Sequence, residues 1–135
     1  MTETFSFNAE SLNKVKFELS KYPEDRKQSS VMSLLDIAQR QNGGWLSKSA
    51  IEHVASHLEM PYIKVYEIVT FYSMYYTTPV GKYFVQVCST TPCWLKGSDE
   101  VVKACKEIIS EKQNELSNDG LFSWMEVECL GACVN

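Results

Sequence analysis

At 135 residues, with 44% hydrophobic and 22% charged residues, the chain has the composition of one modest domain or of a helical segment joined to a second small unit. A net charge of −4 argues against nucleic-acid binding, whose affinity comes mainly from Lys and Arg neutralising phosphates. No run approaches the roughly 18 consecutive apolar residues of a membrane span.

The first 80 residues read as helices. Asn8 is placed to cap a helix with Leu12, Val15 and Leu19 on one face, ending at Tyr22-Pro23. After a polar stretch over residues 24–28, Ser29 or Ser30 opens a second helix with Val31, Leu34, Leu35 and Ala38 inward, stopped by Asn42-Gly43-Gly44. Ser49 and Glu52 have capping-box spacing for a third helix, whose stripe is Ile51, Val54, Ala55 and Leu58. Pro61 suits the first position of a fourth helix through Val65, Ile68, Val69 and Tyr72. Four such helices with short connections predict a small bundle.

Beyond Pro79-Val80-Gly81 the character changes. Residues 82–87 predict a strand ending at Cys88. Ser98 caps a helix with Val101, Val102, Cys105, Ile108 and Ile109 on its buried face, and Asn118-Asp119-Gly120 makes a turn. Residues 122–128 predict a second strand, ending at Cys129. The result is a β-loop-α-β unit with a cysteine pair just beyond each strand.

The N-terminus carries neither the basic-then-apolar pattern of a secretory signal nor the Arg-rich pattern of a transit peptide, so a chain of cytosolic character is expected. In that setting five cysteines point to a metal or redox site rather than a disulfide framework. Four of them fall as C-x4-C (Cys88, Cys93) and C-x3-C (Cys129, Cys133), with 35 residues between the pairs. Each pair brings two sulfurs to one loop, and two pairs at one sheet edge supply the four thiolates of a [2Fe–2S] cluster. Zinc uses similar sets, so the count alone does not choose the metal, and unliganded buried thiols are a further reading, which suits two stray cysteines better than four in paired spacing. Pro92, Gly97 and Gly131 suit sharp turns around such a site. Cys105 lies on the apolar stripe of its helix and reads as a small buried hydrophobe. Glu126 and Glu128, just before Cys129, either oppose the extra electron of a reduced cluster or simply face solvent.

The runs Val87-Cys88-Ser89-Thr90-Thr91-Pro92-Cys93-Trp94-Leu95 and Glu126-Val127-Glu128-Cys129-Leu130-Gly131-Ala132-Cys133 closely resemble the thioredoxin-like [2Fe–2S] subunit of respiratory complex I. The likeness extends to Gln41-Asn42-Gly43-Gly44-Trp45-Leu46, Val69-Thr70-Phe71-Tyr72 and Asp119-Gly120-Leu121-Phe122. The resemblance implies an α+β chain: a helical bundle over residues 1–80, then a thioredoxin-like α/β domain over residues 81–135. It also implies one [2Fe–2S] cluster on Cys88, Cys93, Cys129 and Cys133, with FMN and NADH bound by a partner subunit. The expected partners are that flavin- and NADH-binding subunit and others of the complex I peripheral arm, at the inner face of a bacterial inner membrane or the matrix side in mitochondria. NAD-linked hydrogenases and formate dehydrogenases use equivalent subunits, and a structural zinc protein is a further alternative. The family's chain continues past its fourth cysteine through two strands and a helix, whereas this one stops at Asn135, so the α/β domain is expected to be incomplete.

No G-x-G-x-x-G or G-x-x-x-x-G-K pattern occurs, so a nucleotide-binding loop is not expected in this chain. Trp45, Phe71, Tyr72, Tyr75 and Tyr76 are expected mostly in the core, with partner docking as the other use of so many aromatics. Residues 49–66 have the outline of a DNA-binding helix-turn-helix, but the second helix offers only Lys64, opposed by Glu67.

Overall fold

The computed structural model describes residues 4–133. They form two compact units, divided between Pro79 and Val80.

The first unit is helical. α1 spans Ala9–Leu19, and the Asn8 side chain accepts the Ser11 N–H at 2.8 Å. It turns Ser11 and Val15 inward, four residues apart on one ridge, which leaves Leu12 exposed rather than on the buried stripe. The polar stretch that follows forms a 3-10 helical segment, Glu24–Ser30, kinked at Arg26. α2 spans Val31–Gln41 and buries Val31, Leu34, Leu35 and Ala38. Ser30 precedes it without capping it, because its hydroxyl donates to the Lys27 carbonyl at 2.6 Å. Gly43 and Gly44, at φ 74° and 94°, turn the chain back as side-chain-bearing residues rarely do.

α3 spans Lys48–His57, and its cap is Ser47, not Ser49: the Ser47 hydroxyl accepts the Ala50 N–H at 3.2 Å. A cap residue needs extended backbone, which Ser47 has (φ −69°, ψ 159°), whereas Ser49 already lies within the helix. Glu52 instead approaches Lys48 at 3.7 Å. α4 spans Tyr62–Phe71, with Pro61 just before its first residue rather than at it. Val65 and Val69 are buried here with Ile51, Val54, Ala55 and Leu58. Of the aromatics expected inside, Tyr75 is buried and donates its hydroxyl to the Met32 carbonyl, while Phe71 (80% exposed) and Tyr72 lie outside.

The second unit carries a parallel pair, β1 (Tyr83–Cys88) and β2 (Phe122–Val127), in register from Tyr83 opposite Phe122 to Cys88 opposite Val127. Between them run a short helix, α5 (Thr91–Leu95), within the stretch read as a loop, and α6 (Ser98–Ile108). Trp124 is fully buried with Val87 and Cys105, and its indole N–H donates to the Ser110 carbonyl at 2.8 Å. Val102 and Ile109 pack on this cluster, but Val101 and Ile108 are 50% and 80% exposed. Two strands span only about 5 Å between their axes, so they cover one narrow ridge of a helix. Gly97, at φ 98°, holds the cap position of α6 that was expected of Ser98, and Ser98 is the first helical residue. Gly81 must lack a side chain for another reason: a Cβ there would stand 2.5 Å from the Phe122 carbonyl carbon.

Candidate metal centre

The parallel register brings the two cysteine pairs to one edge of the sheet. Cys88 is the last residue of β1, opposite Val127, and Cys129 follows Val127 by two residues. The Ser89 N–H reaches the Val127 carbonyl at 3.4 Å, extending the pairing one residue past β1. Thr90, extended at φ −67° and ψ 162°, then turns the chain into α5. Pro92 sits at the start of this helix, where its missing N–H has no partner to lose, and Cys93 follows on the same turn. Gly131, at φ 68°, makes the corresponding turn between Cys129 and Cys133.

Cys88 and Cys93 are half-buried, while Cys129 and Cys133 are exposed. The Cys88 sulfur lies 3.1 Å from the Thr90 hydroxyl. That hydroxyl is the largest influence lowering the Cys88 thiol to about 7; the Thr90 N–H, Cys93 and the Leu130 N–H add to it. Cys93 is driven the other way, to about 11, first by Cys88, then by burial and by Cys133. The two titrate as a pair: once Cys88 holds a negative charge, ionising Cys93 beside it is opposed. A bound cation removes that opposition. The Cys129 sulfur accepts the Gly131 N–H at 3.4 Å. Cys105 stays apart, on the buried face of α6, with its thiol pushed up by burial.

Cys93 is thus within reach of both Cys88 and Cys133, and Cys129 lies on the same edge. Among the described residues no three His, Cys, Asp or Glu side chains are gathered tightly enough to share a single ion. A [2Fe–2S] cluster divides its four thiolates between two irons. Four thiols at one edge, with N–H groups from two loops aimed at sulfur, fit that donor set. Glu126 is half-buried and accepts from the Gln113 side chain at 2.9 Å, while Glu128 is exposed.

Two donors were not singled out from sequence: Thr90 and the Leu130 N–H. Neither carries a periodic or spacing signal, because each acts through the local path of a loop.

Residues 15–135 match the family model of the thioredoxin-like [2Fe–2S] ferredoxins. One NADH-quinone oxidoreductase subunit of Rickettsia typhi is 54% identical over 132 residues, 98% of this chain and 78% of that protein. Its counterpart in Rickettsia felis is 52% identical over 135 residues, 100% of this chain and 81% of that protein. The mitochondrial NADH dehydrogenase [ubiquinone] flavoprotein 2 of Dictyostelium discoideum is 48% identical over 131 residues, 97% of this chain and 53% of that protein. With nearly the whole sequence matched and both cysteine loops inside the matched region, the chain belongs to the thioredoxin-like [2Fe–2S] ferredoxin family.

Proposed function

We propose that this chain is an electron-transfer subunit of an NADH:quinone oxidoreductase and holds one [2Fe–2S] cluster on Cys88, Cys93, Cys129 and Cys133. The observation that carries the ligand set is the common sheet edge, created by the register of Cys88 opposite Val127 with Cys129 two residues on. The host complex is supported by the names of the relatives at 48–54% identity. When bound, such a cluster supplies one-electron redox chemistry.

The chain's own residues do three things in this role. The four thiolates hold the iron. The Thr90 and Leu130 N–H groups on the Cys88 sulfur, and the Gly131 N–H on that of Cys129, offset negative charge at the ligands. Trp124, locked between Val87 and Cys105, keeps β1 and β2 in register and hence the two loops together.

NADH delivers two electrons as hydride, so a flavin must separate them before a one-electron carrier is used. The sequence carries no glycine-rich nucleotide loop, which supports the reading that FMN and NADH are bound by a partner subunit. No helix among the described residues is long and apolar enough to cross a membrane. In this reading the chain is held at the inner face of a bacterial inner membrane, or the matrix side in mitochondria, through the other subunits of the peripheral arm.

Anaerobic purification followed by iron and acid-labile sulfide analysis, with EPR of the reduced protein, tests the proposal. About two irons and two sulfides per chain are expected, with a signal that appears on reduction. Stoichiometric zinc in a colourless protein would overturn it. Pure, flavin-free chain is expected to show no NADH oxidation with artificial acceptors, and a rate there would overturn the assignment of FMN and NADH to a partner.

A further inference from the structure

Thr90 occupies the cap position of α5, with extended backbone and its carbonyl accepting the Trp94 N–H at 2.9 Å. A threonine so placed ordinarily accepts a hydrogen bond from the second or third N–H of its helix. Thr90 makes no such side-chain bond. Its hydroxyl stands instead 3.1 Å from the Cys88 sulfur. With a neutral thiol either atom can donate. A thiolate has no proton to give, so in the ligating state the hydroxyl donates and the sulfur accepts. The side chain has in effect left its helix for the sulfur.

We propose that Thr90 is a positioning residue that raises the reduction potential of the cluster through its hydrogen bond to Cys88, which rests on Cys88 being a cluster ligand. Reduction adds negative charge that the ligand sulfurs share. A donor aimed at one of them stabilises the reduced state more than the oxidised one, since hydrogen bonds to sulfur are among the determinants of potential. The Thr90 and Leu130 N–H groups act on the same sulfur, but they belong to the backbone and survive any side-chain exchange. Substitution at position 90 therefore isolates the hydroxyl. Because that hydroxyl caps nothing, removing it withdraws no support from α5.

The test uses the full chain loaded anaerobically with iron and sulfide, titrated potentiometrically and followed by EPR. Thr90→Val keeps the branched shape and removes the donor; Thr90→Ser keeps the donor. Thr90→Val is expected to bind the electron up to about tenfold more weakly, a fall of up to about 59 mV for a one-electron couple, and Thr90→Ser to keep the parent midpoint. Thr90→Ala serves as a second donor-free variant should the valine protein not load, and the same fall is expected of it. An unchanged midpoint in a fully loaded donor-free variant would overturn the proposal, as would an equal fall in Thr90→Ser. Cys88→Ser, measured alongside, separates the two layers: an unaltered cluster there would remove Cys88 from the ligand set itself.

Discussion

At the scale of single residues, the five cysteines divide into two chemical settings. Cys88, Cys93, Cys129 and Cys133 stand half-buried or exposed on two loops, whereas Cys105 is buried beside Trp124. Replacing any of the first four by Ser is expected to abolish or strongly alter the visible and EPR signatures, because a loop pair reduced to one thiolate leaves an iron under-coordinated. Cys105→Ser is expected to retain them, at a stability cost from a hydroxyl in an apolar contact. Iron content and EPR across the five variants decide this, and an unaltered signal in Cys129→Ser would strike that residue from the set. A second residue-scale feature lies in the bundle. The His53 Nε2 accepts the Phe7 N–H at 3.4 Å, with the Phe5 and Phe7 rings edge-on to the imidazole. Burial, and then His57, lower the pKa of His53 from its ordinary 6.5. The unfolded chain therefore takes up the proton first as pH falls. The contribution of His53 is present above about 6.5 and lost below it. Denaturant midpoints followed by helical ellipticity are expected to fall between pH 7.5 and 6.0, and His53→Phe to flatten that slope. A midpoint independent of pH would contradict this account.

At the scale of elements, the helix starts show how local rules compete. Ser29, Ser30, Ser47, Ser49 and Ser98 all qualify as caps by type, and backbone conformation selects among them. Ser47 caps α3; Ser30 spends its hydroxyl on the Lys27 carbonyl; Ser98 is already helical. Ser47→Ala is expected to cost about 1 kcal/mol, and Ser49→Ala to stay within about 0.5 kcal/mol. Chemical denaturation of the two variants checks the order, and a larger loss for Ser49→Ala would return the cap to that residue. In the second unit the decisive element is β1–β2 itself. Close approach at Gly81, whose N–H donates to the Ser123 hydroxyl at 2.9 Å, seats the strands so that Cys88 comes level with Val127.

At the scale of the molecule, the two units differ in how much apolar surface each removes from water. The bundle core joins four helices through Val15, Leu34, Leu35, Leu46, Ile51, Leu58 and Val65, all 0–2% exposed. The buried hydrophobic cluster of the α/β unit among the described residues is Val87, Cys105 and Trp124. Two-stranded sheets are marginal without extensive cover. Amides of α2 and α3 are accordingly expected to exchange much more slowly than those of β1, β2 and α6 in the chain without a cluster. Loading the cluster is expected to slow the second group selectively, since binding stabilises the state that binds. Segment-resolved hydrogen exchange measures both, and uniform protection of the two units would contradict the imbalance.

Sequence alone determined what depends on residue type and spacing. The four cysteines in two short pairs, the inward rows of α2 and α3, and the strands flanking α6 follow from periods and turn chemistry that hold wherever the chain is placed. Tertiary structure decided which of several locally allowed choices was taken. Leu12, Val101 and Ile108 satisfy a helical stripe yet face outward, because the elements beside them cover one ridge and not its neighbours. Phe71 is more apolar than Tyr75, yet it lies outside with Tyr72 while Tyr75 is buried with its hydroxyl donating to the Met32 carbonyl. Thr90 is a cap residue by type and position, yet its hydroxyl meets the Cys88 sulfur two residues back, a choice made by the local path of the loop that residue type does not record. Periodicity records the direction of a side chain about its own axis; which directions are buried is set by neighbours far away in sequence.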